Sequence, residues 1–242
     1  MIEEILPGSV ACASAFGDLP PGTDGGLLPA EAAAVSRAVA KRRAEFTTVR
    51  VCARRALRAL GLPGVALVPD RRGAVAWPEG TVGSMTHCSG YRAAVVARTG
   101  DAVSLGIDAE PDLPLPEGVL EVVSRGRERE GLTALAARRP DVSWDRLLFS
   151  AKESVFKTWY PLTRKELDFQ EAELEIDPDS GTFTARLLVP GPEVAGSRVG
   201  VFPGRWLARN GLVVTAIALP GPAGGPGPRT DTDRAGTGGT AP

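Results

Sequence analysis

Two carboxylates near the middle of the sequence could bind a metal ion. Asp108 and Glu110 lie two residues apart in the segment LGIDAEP, and residues two apart in a strand project to the same face. Adjacent carboxylates repel each other unless a cation lies between them, and Mg²⁺ prefers ligand sets made entirely of oxygen. The pair therefore predicts a divalent-metal site, with two solvated acids at the end of a strand as the alternative.

A third carboxylate, Glu153, lies in a row of aromatic residues that a helix would place on one side. At spacings of four, three and four residues, this row consists of Phe149, Glu153, Phe156 and Tyr160. A carboxylate among aromatic rings has to be paired or bound to a metal, because burying it alone costs several kcal/mol. Glu153 could complete a metal-binding triad, or it could form a surface ion pair with Lys157 one turn further along.

A cluster of arginines upstream of these acids could bind phosphate groups. Arg42, Arg50 and Arg54 fall on one side of a predicted helix, together with Phe46. A guanidinium can donate to two oxygens at once, so arginines that share a face are suited to anions. A basic face exposed to solvent is the alternative, but the positive charge is concentrated here within an almost neutral chain.

The segment at residues 83–90, GSMTHCSG, surrounds the only histidine, His87, with small and hydroxyl-bearing side chains. We interpret it as a loop that leads into a strand at Arg92 and that could present backbone donors to an anion. A lone histidine is more often structural than catalytic, and the segment contains neither GxxxxGK[ST] nor GxGxxG. This segment alone therefore does not identify a nucleotide-binding loop.

Composition restricts the class of protein to which these residues belong. The 242 residues include 28 Lys and Arg against 29 Asp and Glu, and this balance argues against a general nucleic-acid binder. Three cysteines without a CxxC pair fit a reduced cytosol, and one histidine rules out metal sites with several histidine ligands. The first residues are acidic, unlike a signal peptide, and the best apolar stretch, 212–219, is too short to cross a bilayer. We therefore expect a cytoplasmic protein that binds neither nucleic acid nor membranes.

The candidate residues need a framework of helices and strands that brings distant segments together. Residues 1–110 predict a helical stretch at 29–60 and then strands at 65–68, 92–98 and 103–108. Residues 111–220 predict a helix at 144–160 and then strands at 174–176, 182–189, 205–208 and 212–219. The repeated order indicates two similar halves, joined at the proline-rich segment 111–118. The tail, 221–242, is rich in Gly and Pro and is expected to be disordered.

Four segments, in order and spacing, resemble the 4′-phosphopantetheinyl transferases of the Sfp/EntD type. They lie within about residues 35–220 and read AKRRAEFTTVRVCARRAL, GSMTHCSGYRAAVV, LGIDAEP and WDRLLFSAKESVFKTWYPLT. Members of this family transfer the 4′-phosphopantetheine arm of coenzyme A to a serine of an apo acyl or peptidyl carrier protein and release adenosine 3′,5′-bisphosphate. The resemblance implies an α+β pseudodimer of two similar α/β halves, with the active site between them.

The resemblance also implies roles for individual residues. The ligands of Mg²⁺ or Mn²⁺ would be Asp108, Glu110 and Glu153. The catalytic residues would be Glu153 as the base, Lys157 and His87. Coenzyme A would be bound by Arg42, Arg50, Arg54, Arg72, Ser84, Met85, Thr86, His87, Lys152 and Lys157.

Two other interpretations of the sequence predict different classes of protein. The short holo-carrier-protein synthases have subunits of about half this length that form trimers, whereas both signature segments lie here in one chain, which is expected to act as a monomer. A binding module that holds RNA or another polyanion on its basic helix would need aromatic residues interleaved with the arginines. That stretch has only Phe46, and three carboxylates would have no purpose in such a module.

Overall fold

The computed structural model describes residues 1–70 and 72–222 and has the predicted α+β class. Its helices are α1 (Pro29–Ala34), α2 (Ala40–Ala59), α3 (Val119–Val123), α4 (Gly126–Arg138) and α5 (Trp144–Thr163). Its strands are β1 (Ala11–Phe16), β2 (Thr81–Cys88), β3 (Tyr91–Arg98), β4 (Ala102–Pro111), β5 (Ala172–Asp177), β6 (Thr182–Leu187), β7 (Glu193–Val194), β8 (Ser197–Arg198), β9 (Val201–Arg209) and β10 (Leu212–Pro220). The prediction of disorder for the tail falls, from residue 223 onward, outside the described residues.

Two antiparallel sheets form the framework, and each is packed against one long helix. The first sheet has the order β1-β3-β2 and the second the order β4-β10-β9-β6-β5, while β7 and β8 form a small hairpin. Helix α2 packs on the first sheet through apolar residues that include Cys52 and Leu57. Helix α5 packs on the second through residues that include Leu147 and Val155. A further apolar cluster lies between the sheets and includes Ile107 of β4.

Each long helix carries a buried basic residue that is paired with a glutamate near the start of a shorter helix. Glu31 is the third residue of α1, and its Oε2 lies 2.8 Å from Nη1 of Arg54 on α2. Its other carboxylate oxygen accepts a 3.0 Å hydrogen bond from the backbone N–H of Leu67. Both side chains are at most 4% exposed, so this pair joins α1, α2 and the segment that follows α2.

The second part of the chain repeats this arrangement. Glu128 is the third residue of α4, and its Oε1 lies 2.9 Å from Nζ of Lys152 on α5. The same oxygen accepts a 2.7 Å hydrogen bond from the backbone N–H of Leu174 in β5, the strand that follows the long helix. The repetition of one buried ion pair in equivalent elements supports the expectation of two similar halves.

The helix expected at 29–60 is wrong in one respect, because the chain forms two helices there. In a continuous helix, Glu31 and Arg54 would lie about 35 Å apart along the axis, since each residue adds about 1.5 Å. Instead α1 folds back onto α2, and the two side chains meet. The buried ion pair therefore explains the break.

Two further expectations in the first half are also wrong. Residues 65–68 form no strand, because the backbone of Leu67 bonds to side chains: its N–H donates to Glu31 and its carbonyl accepts from Arg50. The segment 83–90 is not a loop, since residues 81–88 form β2. Ser89 and Gly90 then turn the chain into β3, and Gly90 has the positive φ of 83° that such a tight turn requires.

The other predicted elements are present within one to four residues of their expected bounds. They are the helix at 144–160 and the strands at 92–98, 103–108, 174–176, 182–189, 205–208 and 212–219. Strand β1, helices α3 and α4, and the hairpin of β7 and β8 are additional to the elements predicted from the sequence. Within the described part of the chain, no helix combines the length and apolar character needed to cross a membrane.

Candidate active site

The side chains of strand β2 alternate in direction, and this alternation separates two groups of candidate residues. Ser84 and Thr86 project towards β4, where Ser84 Oγ accepts from the N–H of Ile107 at 3.1 Å and Thr86 Oγ1 accepts from that of Ala109 at 3.2 Å. Met85 and His87 project towards α2. Successive residues of a strand face opposite sides, so β2 faces two groups of residues. We call them the acidic group (Asp108, Glu110 and Glu153) and the basic group (Arg42, Arg50 and His87).

Asp108 is the most deeply buried residue of the acidic group, at 4% exposure. Its Oδ1 accepts hydrogen bonds from Thr86 Oγ1 at 3.1 Å and from Lys157 Nζ at 2.7 Å. Its Oδ2 is buried and lacks a hydrogen-bond partner among the described residues. A buried oxygen of a carboxylate without a partner is costly, and its presence here indicates a place for a ligand.

Glu110 lies two residues further along β4 and contacts Arg146, which is not among the site residues predicted from the sequence. Nη1 of Arg146 on α5 lies 3.3 Å from Oε2 of Glu110. Arg146 also donates to the carbonyls of Leu113 and Pro114 at 2.9 Å, which holds the chain after β4 against α5. Burial, and then the negative charge of Asp108, raises the pKa of Glu110 to about 7.

Glu153 supplies the third carboxylate from α5 and is half-buried. Burial raises its pKa, and the charge of Asp108 acts in the same direction, while Lys157 opposes the shift. Glu153 also lines a cavity of about 250 Å³ together with Phe156, Leu167 and Phe169. The charge of Asp108 thus contributes to the raised pKa of both Glu110 and Glu153, which indicates that the three carboxylates lie near one another.

Helical spacing contains the signal that would have identified Arg146. Arg146, Glu153 and Lys157 lie at positions i, i+7 and i+11, which fall on one face of a helix. In the structure these three residues of α5 all act on the acids of β4, through contacts or charge.

The carboxylate oxygens of the acidic group are suitable ligands for a divalent cation, although the three side chains are not close enough in the structure to hold one together. Among residues 1–70 and 72–222, no three His, Cys, Asp or Glu side chains come together closely enough to hold a metal. Lys157 contacts Asp108 and Arg146 contacts Glu110, so basic side chains neutralise part of the charge. The unpartnered Oδ2 of Asp108 and a donor set made only of carboxylate oxygens nevertheless suit Mg²⁺ or Mn²⁺.

The basic group on the other side of β2 contains Arg42, Arg50 and His87. Nη1 of Arg42 contacts Nε2 of His87, and Arg42 is half exposed. Arg50 is buried, with its Nε donating to the Leu67 carbonyl at 2.8 Å and its guanidinium 3.9 Å from the centre of the Phe46 ring. Burial, followed by the charge of Arg42, lowers the pKa of His87, and Lys157 contributes to this shift from the acidic side.

Three of the residues expected to bind coenzyme A are paired with glutamates in the structure. Arg54 is bound to Glu31 and to the carbonyl of Gly26, and Lys152 is bound to Glu128 and to two backbone carbonyls. Both groups are buried among these partners. Arg72 contacts Glu166, beyond the end of α5.

Known proteins resemble this chain over most of its length. A model of the 4′-phosphopantetheinyl transferase N-terminal domain matches residues 30–97, and one of the 4′-phosphopantetheinyl transferase superfamily matches residues 104–199. The 4′-phosphopantetheinyl transferase Svp of Streptomyces mobaraensis is 66% identical over 93% of this chain and 91% of its own length. PptT of Mycobacterium tuberculosis is 44% identical over 90% and 98%, and Npt of Nocardia iowensis is 46% identical over 90% and 99%. Both are also named 4′-phosphopantetheinyl transferases.

Proposed function

Because the chain belongs to the 4′-phosphopantetheinyl transferase family, we propose a Mg²⁺-dependent transfer from coenzyme A to carrier proteins as its reaction. The acceptor is a serine of an apo acyl or peptidyl carrier protein, and the second product is adenosine 3′,5′-bisphosphate. The observation that carries this proposal is the buried Oδ2 of Asp108, which lacks a partner among the described residues and lies near two further carboxylates. The proposal includes action as a monomer, since both signature segments lie in one chain, and a cytoplasmic location.

The phosphates of coenzyme A would lie against the basic group. Arg42, Arg50 and His87 face the same side of β2, and Arg42 is exposed enough to meet a ligand. A guanidinium binds phosphate oxygens through charge-assisted hydrogen bonds, which are stronger than neutral ones. Arg54 and Lys152 are left out of this set, because each is buried and paired with a glutamate.

The acidic group would hold the metal. Its ligands would be Asp108, Glu110 and Glu153. When bound, Mg²⁺ would neutralise the pyrophosphate oxygens and the charge that develops on the leaving bisphosphate. Lys157 Nζ lies 2.7 Å from Asp108 Oδ1, and its ammonium would lie between the acids and the phosphates.

Glu153 is the candidate base for the serine proton. The serine oxygen attacks the phosphorus that carries pantetheine, the bond from that phosphorus to the bridging oxygen breaks, and the proton moves to the Glu153 carboxylate. A base works best when its pKa lies near the operating pH, and burial raises the pKa of Glu153 in that direction. The cavity of about 250 Å³ beside Glu153 offers a mixed apolar and polar wall for an organic group.

Intact-mass measurement of an apo carrier protein tests the proposal. Incubation with this protein, coenzyme A and Mg²⁺ should add one phosphopantetheine to the carrier, and EDTA should prevent the addition. A carrier in which the acceptor serine is replaced by alanine is the control and should stay unmodified. Transfer that continues at the same rate in EDTA would contradict the metal, and no transfer to any of several acyl and peptidyl carriers would contradict the function.

A further inference from the structure

Strands β2 and β4 lie side by side but belong to different sheets, and side chains join them. Ser84 and Thr86 of β2 accept hydrogen bonds from the backbone N–H groups of Ile107 and Ala109 of β4. These hydroxyls replace the backbone hydrogen bonds that would connect the strands within one sheet. The junction between the two sheets therefore depends on polar side chains that are buried, with Thr86 at 4% exposure.

Thr86 differs from Ser84 because its hydroxyl also reaches a carboxylate. A threonine hydroxyl has one proton to donate and two lone pairs that accept. Thr86 accepts from the N–H of Ala109 and donates its proton to Oδ1 of Asp108 at 3.1 Å. Its hydrogen-bonding capacity thus connects the backbone of β4 to the carboxylate that projects from the same strand.

This contact decides which oxygen of Asp108 stays available. Lys157 Nζ donates to the same Oδ1 at 2.7 Å, so both donors hold one oxygen. The other oxygen, Oδ2, is buried without a partner in the described part of the chain. A carboxylate that is fixed through one oxygen can turn little about its terminal bond, so the direction of Oδ2 is fixed as well.

We propose that Thr86 is a positioning residue that orients the carboxylate of Asp108 towards a divalent metal. The inference rests on the proposed function, because the metal is part of it. This role differs from the coenzyme A contact that the resemblance implies for Thr86. The Thr86 hydroxyl contacts β4 and lies away from Arg42 and Arg50. Residues that orient metal ligands through hydrogen bonds typically change metal affinity 10- to 100-fold when they are replaced.

Calorimetric titration with Mn²⁺, without coenzyme A or carrier protein, tests this role. Thr86→Val has nearly the same shape but lacks the hydroxyl, and it should weaken Mn²⁺ binding by roughly 10-fold or more. Thr86→Ser keeps the hydroxyl and should restore binding to within about threefold of the wild type. Ser104→Ala is the matched control, because it removes a buried hydroxyl of β4 that donates to the Thr158 carbonyl and not to any of the three carboxylates.

A second pair of variants keeps the test decisive if Thr86→Val does not fold. Thr86→Ala and Thr86→Ser differ by one oxygen atom, so their Mn²⁺ affinities isolate the hydroxyl. Equal affinities in these two folded variants would overturn the inference. A loss of affinity in Ser104→Ala as large as in Thr86→Val would also overturn it, because loosening of β4 would then explain both.

Coenzyme A binding in EDTA separates positioning of a metal ligand from contact with a phosphate. Thr86→Val should bind coenzyme A in EDTA as the wild type does, whereas a 10-fold loss there would identify Thr86 as a phosphate contact and overturn the inference. Failure of the metal dependence in the proposed function gives a different result. In that case the wild type itself would bind no Mn²⁺ and would transfer at the same rate in EDTA, which would overturn both the metal and the role of Thr86.

Discussion

Glu31 and Glu128 occupy equivalent places in the two parts of the chain. Each is the third residue of its helix, and each accepts from the basic residue of a long helix and from the backbone of a segment that follows that helix. Each carboxylate also accepts from the backbone N–H three residues before it, at the entry of its own helix. The two ion pairs therefore tie a short helix, a long helix and a segment that follows the long helix together in both parts.

Replacement of the basic partners should lower stability. Arg54→Ala or Lys152→Ala leaves a carboxylate that is at most 1% exposed without its counter-charge. Breaking a buried pair from one side typically costs about 3–5 kcal/mol of the free energy of unfolding. Urea unfolding, monitored by circular dichroism, measures this loss. A change below about 1 kcal/mol in either variant would show that solvent reaches the glutamate, and the pair would then lack the role assigned to it.

Arg50 lies one turn from Arg54 on α2 but should behave differently. Arg50→Ala removes a guanidinium from the basic group, and we expect the KM for coenzyme A to rise by roughly 10- to 100-fold, which corresponds to about 1.5–3 kcal/mol for hydrogen bonds to a charged group. Steady-state kinetics with saturating carrier protein measures this effect. For the Arg54→Ala protein that remains folded, the KM for coenzyme A should stay within about threefold of the wild-type value. A larger rise there would return Arg54 to the phosphate-binding set.

The contrast between these arginines shows what the sequence could and could not predict. Spacing correctly places Arg50 and Arg54 on one side of α2, because it depends only on the geometry of the helix. It does not tell which other segment covers each residue. The partner of Arg54 is 23 residues away in sequence and that of Lys152 is 24 residues away, so both depend on how distant elements pack.

The strands illustrate the same limit. The continuous apolar run in β10 identifies a buried strand from its composition alone. Strand β2 contains Gly83, Ser84 and Thr86, a composition typical of a loop, and it becomes a strand because its hairpin partner β3 and the hydroxyl contacts to β4 supply its hydrogen bonds. Tertiary contacts thus override local propensity at the position where the candidate site is built.

Asp108→Asn should reduce transfer far more than it reduces stability. Asparagine keeps an oxygen that can accept from Thr86 and Lys157, so the free energy of unfolding should change by less than about 2 kcal/mol. The charge that would bind the metal is lost, and we expect kcat to fall by at least about 100-fold, because metal stabilisation of the transition state amounts to several kcal/mol. Kinetics at fixed Mg²⁺, together with urea unfolding, checks both parts. An unchanged kcat would remove Asp108 from the metal ligands.

Glu110 should make the stability of the metal-free protein depend on pH. Its pKa in the folded protein is raised from 4.5 to about 7, first by burial and then by Asp108. Between these values the folded protein holds a proton on Glu110 that the unfolded chain has released, so the free energy of unfolding falls as the pH rises from 4.5 to about 7. Above this window the loss is complete, and below it the group has no effect.

Urea unfolding in EDTA at several pH values between 4.5 and 7 measures this dependence. The variant Glu110→Gln cannot titrate, so its decrease in stability with pH should be smaller than that of the wild type. Saturating Mg²⁺ should reduce the decrease in the wild type, because a metal binds the deprotonated carboxylate and only in the folded protein. If wild type and Glu110→Gln lose the same free energy over this range in EDTA, the raised pKa of Glu110 is contradicted.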